Sequence, residues 1–258
     1  MLVDSHCHLD FPDFAEERDA VIARARAAGV GTMLTINTRL DEFNGVRAIA
    51  EAADGIWCSV GAHPHEAADH LALTAEELAT RAAYPKTVGI GETGLDFHYE
   101  HSAPDIQEQV FRTHIAASQL TGLPLIIHSR EADAETARIL AEERPPPGVL
   151  HCFTGTRALA EAALGLGFYI SISGIVTFRN AEDLRAIVRD LPLDRLLVET
   201  DAPYLAPVPY RGKRNEPAFV TATAAAVAAL LRIEPERLAA ATTENFFRLF
   251  AKASRPAQ

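Results

Sequence analysis

The run Val3-Asp4-Ser5-His6-Cys7-His8-Leu9-Asp10 sets two histidines two residues apart almost at the start of the chain. Residues two apart on an extended strand point to the same face, so His6 and His8 can converge on one metal ion while Cys7 points away. Four further potential ligands, Glu92, His128, His151 and Asp201, each stand just after a short β-branched or apolar run. Singly, each has an ordinary reading: a hydrogen-bonded structural histidine for His128, a cap or turn former for Glu92 before Thr93-Gly94, and a turn former for Asp201 before Ala202-Pro203. Those roles do not explain why all of them fall at the ends of predicted strands.

Neutral imidazoles and carboxylates, with no cysteine required, suit Zn²⁺, Mn²⁺ or Mg²⁺. Six ligands are too many for one catalytic ion that keeps an open position, and enough for two ions that share a bridging carboxylate. Two ions activate a water and clamp the attacking and leaving oxygens of a phosphoryl transfer, so the expected chemistry is metal-assisted hydrolysis, with Asp201 also able to accept the water proton. A second group of residues stands close to these in sequence. His63 and His65, in Gly61-Ala62-His63-Pro64-His65, either face the site or belong to a proline-containing turn. Glu199 shares a strand face with Asp201 and is placed to orient a ligand or the attacking water. Arg130 either reaches a substrate phosphate or starts a surface helix. Arg211, Lys213 and Arg214 concentrate three cations between Arg211 and Pro217, as a phosphate clamp or as a solvated loop. There is no Gly-x-x-x-x-Gly-Lys-Ser/Thr loop and no Gly-x-Ser-x-Gly elbow.

The elements that must position these groups alternate along the chain. Strands are predicted at Leu2 to Ser5, Thr32 to Ile36, Ile56 to Val60, Thr87 to Ile90, Leu125 to Ile127, Val149 to Leu150, Phe168 to Ile172 and Leu196 to Val198, with helical segments such as Phe14 to Ala28 and Ile106 to Leu120 between them. Strands that read as continuous apolar runs indicate a parallel sheet covered on both faces. An open doubly wound sheet is the rival, but no Gly-x-Gly-x-x-Gly turn follows the first strand. A closed (β/α)8 barrel also brings the ends of strands one, four, five, six and eight to one rim. Pro145-Pro146-Pro147-Gly148 reads as a stiff turn before the sixth strand, and Pro203 to Pro217 as a long loop on the catalytic rim.

The 258 residues, 48% of them hydrophobic, are expected to form one domain over residues 1–258, close to the ~250 residues usual for such a barrel. With the first strand starting at Leu2 and no apolar run of membrane length, neither a leader nor a membrane span is expected. Cys7, Cys58 and Cys152 cannot all pair and read as reduced core thiols of a cytoplasmic protein. A net charge of −11 argues against binding nucleic acid through a broad basic surface but not against a phosphate substrate, since two divalent ions offset four charges at the site itself.

Taken together, Val3 to Asp10, Gly89-Ile90-Gly91-Glu92-Thr93-Gly94-Leu95-Asp96, Ile127-His128-Ser129-Arg130, His151-Cys152-Phe153-Thr154-Gly155 and Glu199-Thr200-Asp201-Ala202-Pro203-Tyr204 resemble the TatD family of metal-dependent deoxyribonucleases, over the whole chain to Asn245-Phe246-Phe247. The resemblance implies a TIM barrel of the amidohydrolase-like kind with two metal ions: His6, His8 and Asp201 on one, His128 and His151 on the other, Glu92 between them. It also implies hydrolysis of DNA, in several members as a 3′-to-5′ exonuclease on single strands, with RNA or misacylated tRNA as other reported substrates. Ala62 and Thr154 stand where Ile and Ser are common, and neither is a proposed ligand. The expected partner is therefore a nucleic-acid substrate, DNA first, with no membrane and a monomeric chain. Two alternatives keep the ligands: hydrolysis of an amide, ester or lactone, including D-aminoacyl-tRNA deacylation, and a non-catalytic metal-binding protein.

Overall fold

The computed structural model describes residues 1–256. Eight parallel strands follow one another in sequence order around a single sheet. They are β1 (Leu2–Cys7), β2 (Val30–Thr35), β3 (Ile56–Val60), β4 (Thr87–Asp96), β5 (Leu125–Arg130), β6 (Val149–Leu150), β7 (Tyr169–Ile172) and β8 (Leu196–Val198). The intervening helices are α1 (Arg18–Ala27), α2 (Phe43–Ala52), α3 (Ala75–Ala82), α4 (Pro104–Thr121), α5 (Asp133–Glu143), α6 (Arg157–Gly165) and α7 (Glu182–Val188), followed after β8 by α8 (Val220–Leu231) and α9 (Pro235–Leu249). Their ends carry the expected signals. Thr74 and Glu77 form a reciprocal capping box on α3, the Thr156 side chain accepts from Leu159 at the start of α6, and α4 opens on Pro104 and stops at the left-handed Gly122. The first helix starts at Arg18 and not at Phe14, because Pro12–Phe14 form a separate 3-10 turn.

Closure is made by polar contacts across the seam between β8 and β1. Ser5 Oγ donates to the Val198 carbonyl at 3.0 Å, the Asp201 N–H donates to the His6 carbonyl at 2.9 Å, and the His8 N–H donates to the Ala202 carbonyl at 2.8 Å. At the opposite end, one residue from each strand (Val3, Leu34, Trp57, Val88, Ile126, Val149, Tyr169, Leu197) meets Phe246, Leu249 and Phe250 of α9 in an apolar plug. The barrel is thus a (β/α)8 barrel with a filled interior, and the rim at the strand C-termini is left for polar chemistry. Among the described residues, no single helix is long and apolar enough to cross a membrane.

Three strands run further than their apolar stretches indicate, β1 by two residues to Cys7 and two others by more. β4 continues to Asp96 and β5 to Arg130, so Glu92 and His128 lie within strands and not after them. Glycine makes the extension of β4 possible: a Cβ on Gly91 or Gly94, both at positive φ, would collide with the carbonyl oxygen of Ile126 or of His128 in the neighbouring strand. The pairing register slips between Asp4 and Cys7 in β1 and between Ile90 and Thr93 in β4. Such irregularities re-aim side chains, and here they bracket His6 and Glu92.

Candidate metal centre

His6 and His8 project from the end of β1 as their spacing requires, while Cys7 turns away to the Leu34 carbonyl. Glu92 from β4 stands at the middle of the group, 2% exposed. Its two oxygens face different partners. Oε2 lies 3.3 Å from His6 Nε2, while Oε1 lies 2.7 Å from His151 Nε2, 3.3 Å from His128 Nδ1 and 3.4 Å from His63 Nε2. Asp201 Oδ1 completes the first side, 3.4 Å from His8 Nε2 and 3.7 Å from His6 Nε2.

Except for the 2.7 Å between Glu92 Oε1 and His151 Nε2, which is a hydrogen-bond length, these separations fit cations between the donors. Ligands about 2.0–2.2 Å from a common tetrahedral centre stand roughly 3.3–3.6 Å from each other, beyond the best hydrogen-bond length. His6 Nε2 is buried and has no hydrogen-bond partner at all. Such an orphan, aimed at a carboxylate oxygen, is what a ligand atom looks like without its ion. His6, His8 and Glu92 form one group able to hold a metal, and His63, Glu92 and His128 another. His6, His151 and Glu199 form a third, but there Glu199 Oε1 already accepts the Cys152 N–H at 2.6 Å and stands 3.4 Å from His151 Nδ1, which makes Glu199 a support for His151.

The cluster floors a cavity of about 740 Å³, also lined by Phe11, His65, Asp96, Tyr99, Arg130, Cys152 and Tyr204. A model of the TatD-related DNase family matches residues 3–251. The chain belongs to the TatD-related DNase family. It is 47% identical over 254 residues to the uncharacterized metal-dependent hydrolase YcfH of Escherichia coli strain K12, covering 96% of this chain and 95% of the relative. Identity to the 3′-5′ ssDNA/RNA exonuclease TatD of Cronobacter turicensis is 39% over 263 residues, covering 99% and 100%. The crystal structure of YJJV, a TatD homologue from Escherichia coli K12, superposes with a TM-score of 0.90 at 31% identity over 97% of this chain and 98% of that one. This TatD-family chain is accordingly a metal-dependent hydrolase.

Electrostatics follow from the geometry. Burial alone raises the Glu92 carboxyl, but His151, His63 and His6 around it more than reverse that and hold it well below its ordinary range. Asp201 is likewise held down against burial, by His8 and His6. Burial pushes His63 down to about 4, so it is neutral at pH 7. Its Nδ1 accepts the His65 N–H at 3.1 Å, which leaves the proton on Nε2, the atom facing Glu92. In this tautomer His63 is a donor beside the cluster.

Asp96 was within reach of sequence reasoning and was not singled out by it. It lies four residues after Glu92, on the same strand face, and is 1% exposed. Its Oδ2 lies 3.0 Å from His128 Nε2 and 2.9 Å from His65 Nε2, while Oδ1 accepts the His98 and Tyr99 N–H groups at 3.0 Å each. These donors hold its carboxyl far below the usual range despite burial. Asp4 plays a comparable part at the seam. Its carboxyl, which burial pushes up to about 8, accepts the Thr200 N–H at 2.8 Å and the Thr200 hydroxyl at 2.6 Å.

The cationic segment is placed elsewhere. Arg211, Lys213 and Arg214 do not line the cavity. Arg214 pairs with Glu17 at 2.7 Å, donates to the Asp13 carbonyl and covers the Phe14 ring; Arg211 lies 3.8 Å over Phe178; and Lys213 lies 5.9 Å from the centre of Tyr210. Their observed contacts are those of an ordered loop and not of a phosphate clamp. Among the described residues Arg130 is the one Lys or Arg in the cavity lining, 4.7 Å over the Tyr99 ring. All three cysteines are free; Cys7 and Cys58 are buried, whereas Cys152 is only partly so and lines the cavity, which departs from a core role.

Proposed function

We propose that this TatD-family hydrolase cleaves phosphodiester bonds of nucleic acid, with DNA as first substrate, at a centre of two divalent cations drawn from Mg²⁺, Mn²⁺ and Zn²⁺. The observation that carries the reading is Glu92, whose two oxygens face two separate groups of donors on the floor of one cavity. His6, His8 and Asp201 would hold one ion, His128 and His151 the other, and Glu92 would take part in holding both. When bound, the ions supply Lewis acidity and make water a nucleophile near neutral pH.

The remaining steps belong to the side chains. Asp201 accepts a proton from the attacking water, a role its ionised state permits. His63 donates its Nε2 proton as a hydrogen bond to charge developing on the phosphoryl group or the leaving oxygen. Arg130, without an ion-pair partner among the described residues, anchors a phosphate oxygen and is held over the cavity by Tyr99. Glu199 fixes the His151 ring, and Asp96 fixes those of His128 and His65. The name of the Cronobacter relative, an exonuclease on single-stranded DNA and RNA, supports this choice of bond.

The test is a metal-reconstituted assay on end-labelled single- and double-stranded DNA, RNA and aminoacyl-tRNA. Release of nucleotides from labelled DNA, abolished by chelator and restored by one of the three cations, is the expected result. Turnover of aminoacyl-tRNA or simple esters with every phosphodiester left intact would overturn the reading.

A further inference from the structure

The cavity wall beside His8 is aromatic. Phe11 stacks on the His8 imidazole, centroids 4.4 Å apart and planes 19° from parallel, and Tyr204 stands against Phe11 at 6.1 Å and 73°. The two rings make a corner that opens on the cavity they both line. Tyr204 is 56% exposed, yet its backbone is pinned: its N–H donates to the Asp201 carbonyl at 2.9 Å and its carbonyl accepts from Asn215 Nδ2 at 2.6 Å. The ring therefore contributes nothing evident to the loop that carries it and is presented in a fixed place. A buried purpose is missing, and a ligand-facing one is open.

Charge narrows the ligand. With a net charge of −11, and Arg130 the one Lys or Arg in the cavity lining among the described residues, the protein has no broad basic surface along which to hold a polyanion beyond the metal centre itself. Away from the scissile phosphate, binding strength has to draw on contacts that salt does not screen, and aromatic faces provide them: every base has a π-face, and stacking on a side chain tolerates any sequence. A cavity of this volume takes a nucleotide or two and not a duplex.

We propose that Phe11 and Tyr204 form a base-stacking subsite for an unpaired base at the end of a single-stranded nucleic acid, adjoining the His8 side of the metal centre. The proposal rests on the nuclease reading above and adds to it the part of the substrate recognised. A base stacks on one ring with its edge against the other, so an end that is frayed or single-stranded is accepted and a paired one is not. Because the contact is apolar, the share of the affinity that Phe11 and Tyr204 supply depends only weakly on salt.

The experiment uses the full-length, Mn²⁺-loaded protein and phosphorothioate-linked single-stranded hexamers, which resist cleavage. Each carries 2-aminopurine at either the 3′ or the 5′ end, and matched hexamers carry an abasic end. Stacking quenches 2-aminopurine emission, and quenching at one end is expected on binding to the wild-type protein. Tyr204→Phe keeps it, and Tyr204→Ala and Phe11→Ala lose most of it. Affinity of Tyr204→Ala for base-bearing hexamers falls about tenfold, within the range of one lost stacking contact, while its affinity for the abasic hexamers is unchanged. On cleavable strands the same variant raises KM and keeps kcat. Because Tyr204 is exposed, this result stands even where Phe11→Ala fails to fold. Equal quenching and affinity in wild type and Tyr204→Ala, or abasic hexamers bound as tightly as intact ones by the wild-type protein, overturns the subsite. If the wild-type protein cuts single strands in that case, the nuclease reading survives; if it neither binds nor cuts any strand, both fall.

Discussion

On the Oε2 side of Glu92 the imidazoles of His6 and His8 are 0% and 5% exposed, whereas on the Oε1 side His151 is buried at 3% but His63 and His128 keep 14% and 19%. The two sides are also braced by different means. His6 and His8 have no hydrogen-bond partner on Nδ1 and are held by the packed strand end and the seam. His128, more open to solvent, is held by Asp96, which also takes His65, and the turn bearing His63 is tied down when the Ala62 N–H donates to His114 Nε2 at 3.0 Å. His6 and His8 are thus held by packing, as is the buried His151, while the more open His128 and His63 depend on outer hydrogen bonds. Removing a polar brace should therefore loosen one half of the centre and leave the other in place.

Glu92→Ala is the change that abolishes the comparison, since both sides share that carboxylate. Hydrolysis should fall by about a thousandfold or more, roughly 4 kcal/mol of transition-state stabilisation, while thermal unfolding stays cooperative. Activity within about tenfold of wild type would mean the two sides do not share a bridge.

The next effect is on stability and pH. Burial holds His114 down at about 4, and in the unfolded chain it titrates near its ordinary 6.5. Between those values the unfolded state binds more protons, so stability is full above about pH 6.5 and is lost as pH falls towards 4, by on the order of 3 kcal/mol. His114→Gln should flatten this part of the pH dependence of unfolding free energy. An unaltered slope would show that His114 does not stay neutral in the fold.

Asp96→Asn sharpens the contrast further. Bound metal counted during stepwise chelation should show one equivalent weakened about 10- to 100-fold and the other unmoved. Equal weakening of both would erase the distinction between the halves. The smallest effect is expected from replacing Lys213 and Arg214 together by Ala: strand affinity should change by less than about twofold, because neither lines the cavity. A large loss, with a flatter salt dependence, would restore the phosphate-clamp reading of that loop.

The barrel and the six proposed ligands were legible because they rest on local patterns: alternation of apolar runs with helical stretches, and His, Glu and Asp at the ends of those runs. What escaped has a common cause, since it depends on which strand lies beside which. Glu92 reads as a residue in a turn until Gly91 and Gly94 are seen to let β4 pass close against β5. Asp96 has no visible task until His65 and His128, 31 and 32 residues away, meet at its Oδ2. The cations of the Pro203 to Pro217 loop follow β8 in sequence, but Glu17, Phe14 and Phe178 draw two of the three guanidinium and ammonium groups aside. Nothing near them in sequence announces those partners.

Asp4 and Thr200, hydrogen-bonded at the seam, are 196 residues apart along the chain. Two of the proposed ligands, His6 and His8, therefore stand nearly two hundred residues before the carboxylate of Asp201 that joins them. A growing or truncated chain carries the pieces of the centre without the centre, because contacts of such long range form late. Hydrolytic competence in this molecule is consequently tied to barrel closure: a chain whose eighth strand has not docked against its first has His6 and His8 but no centre.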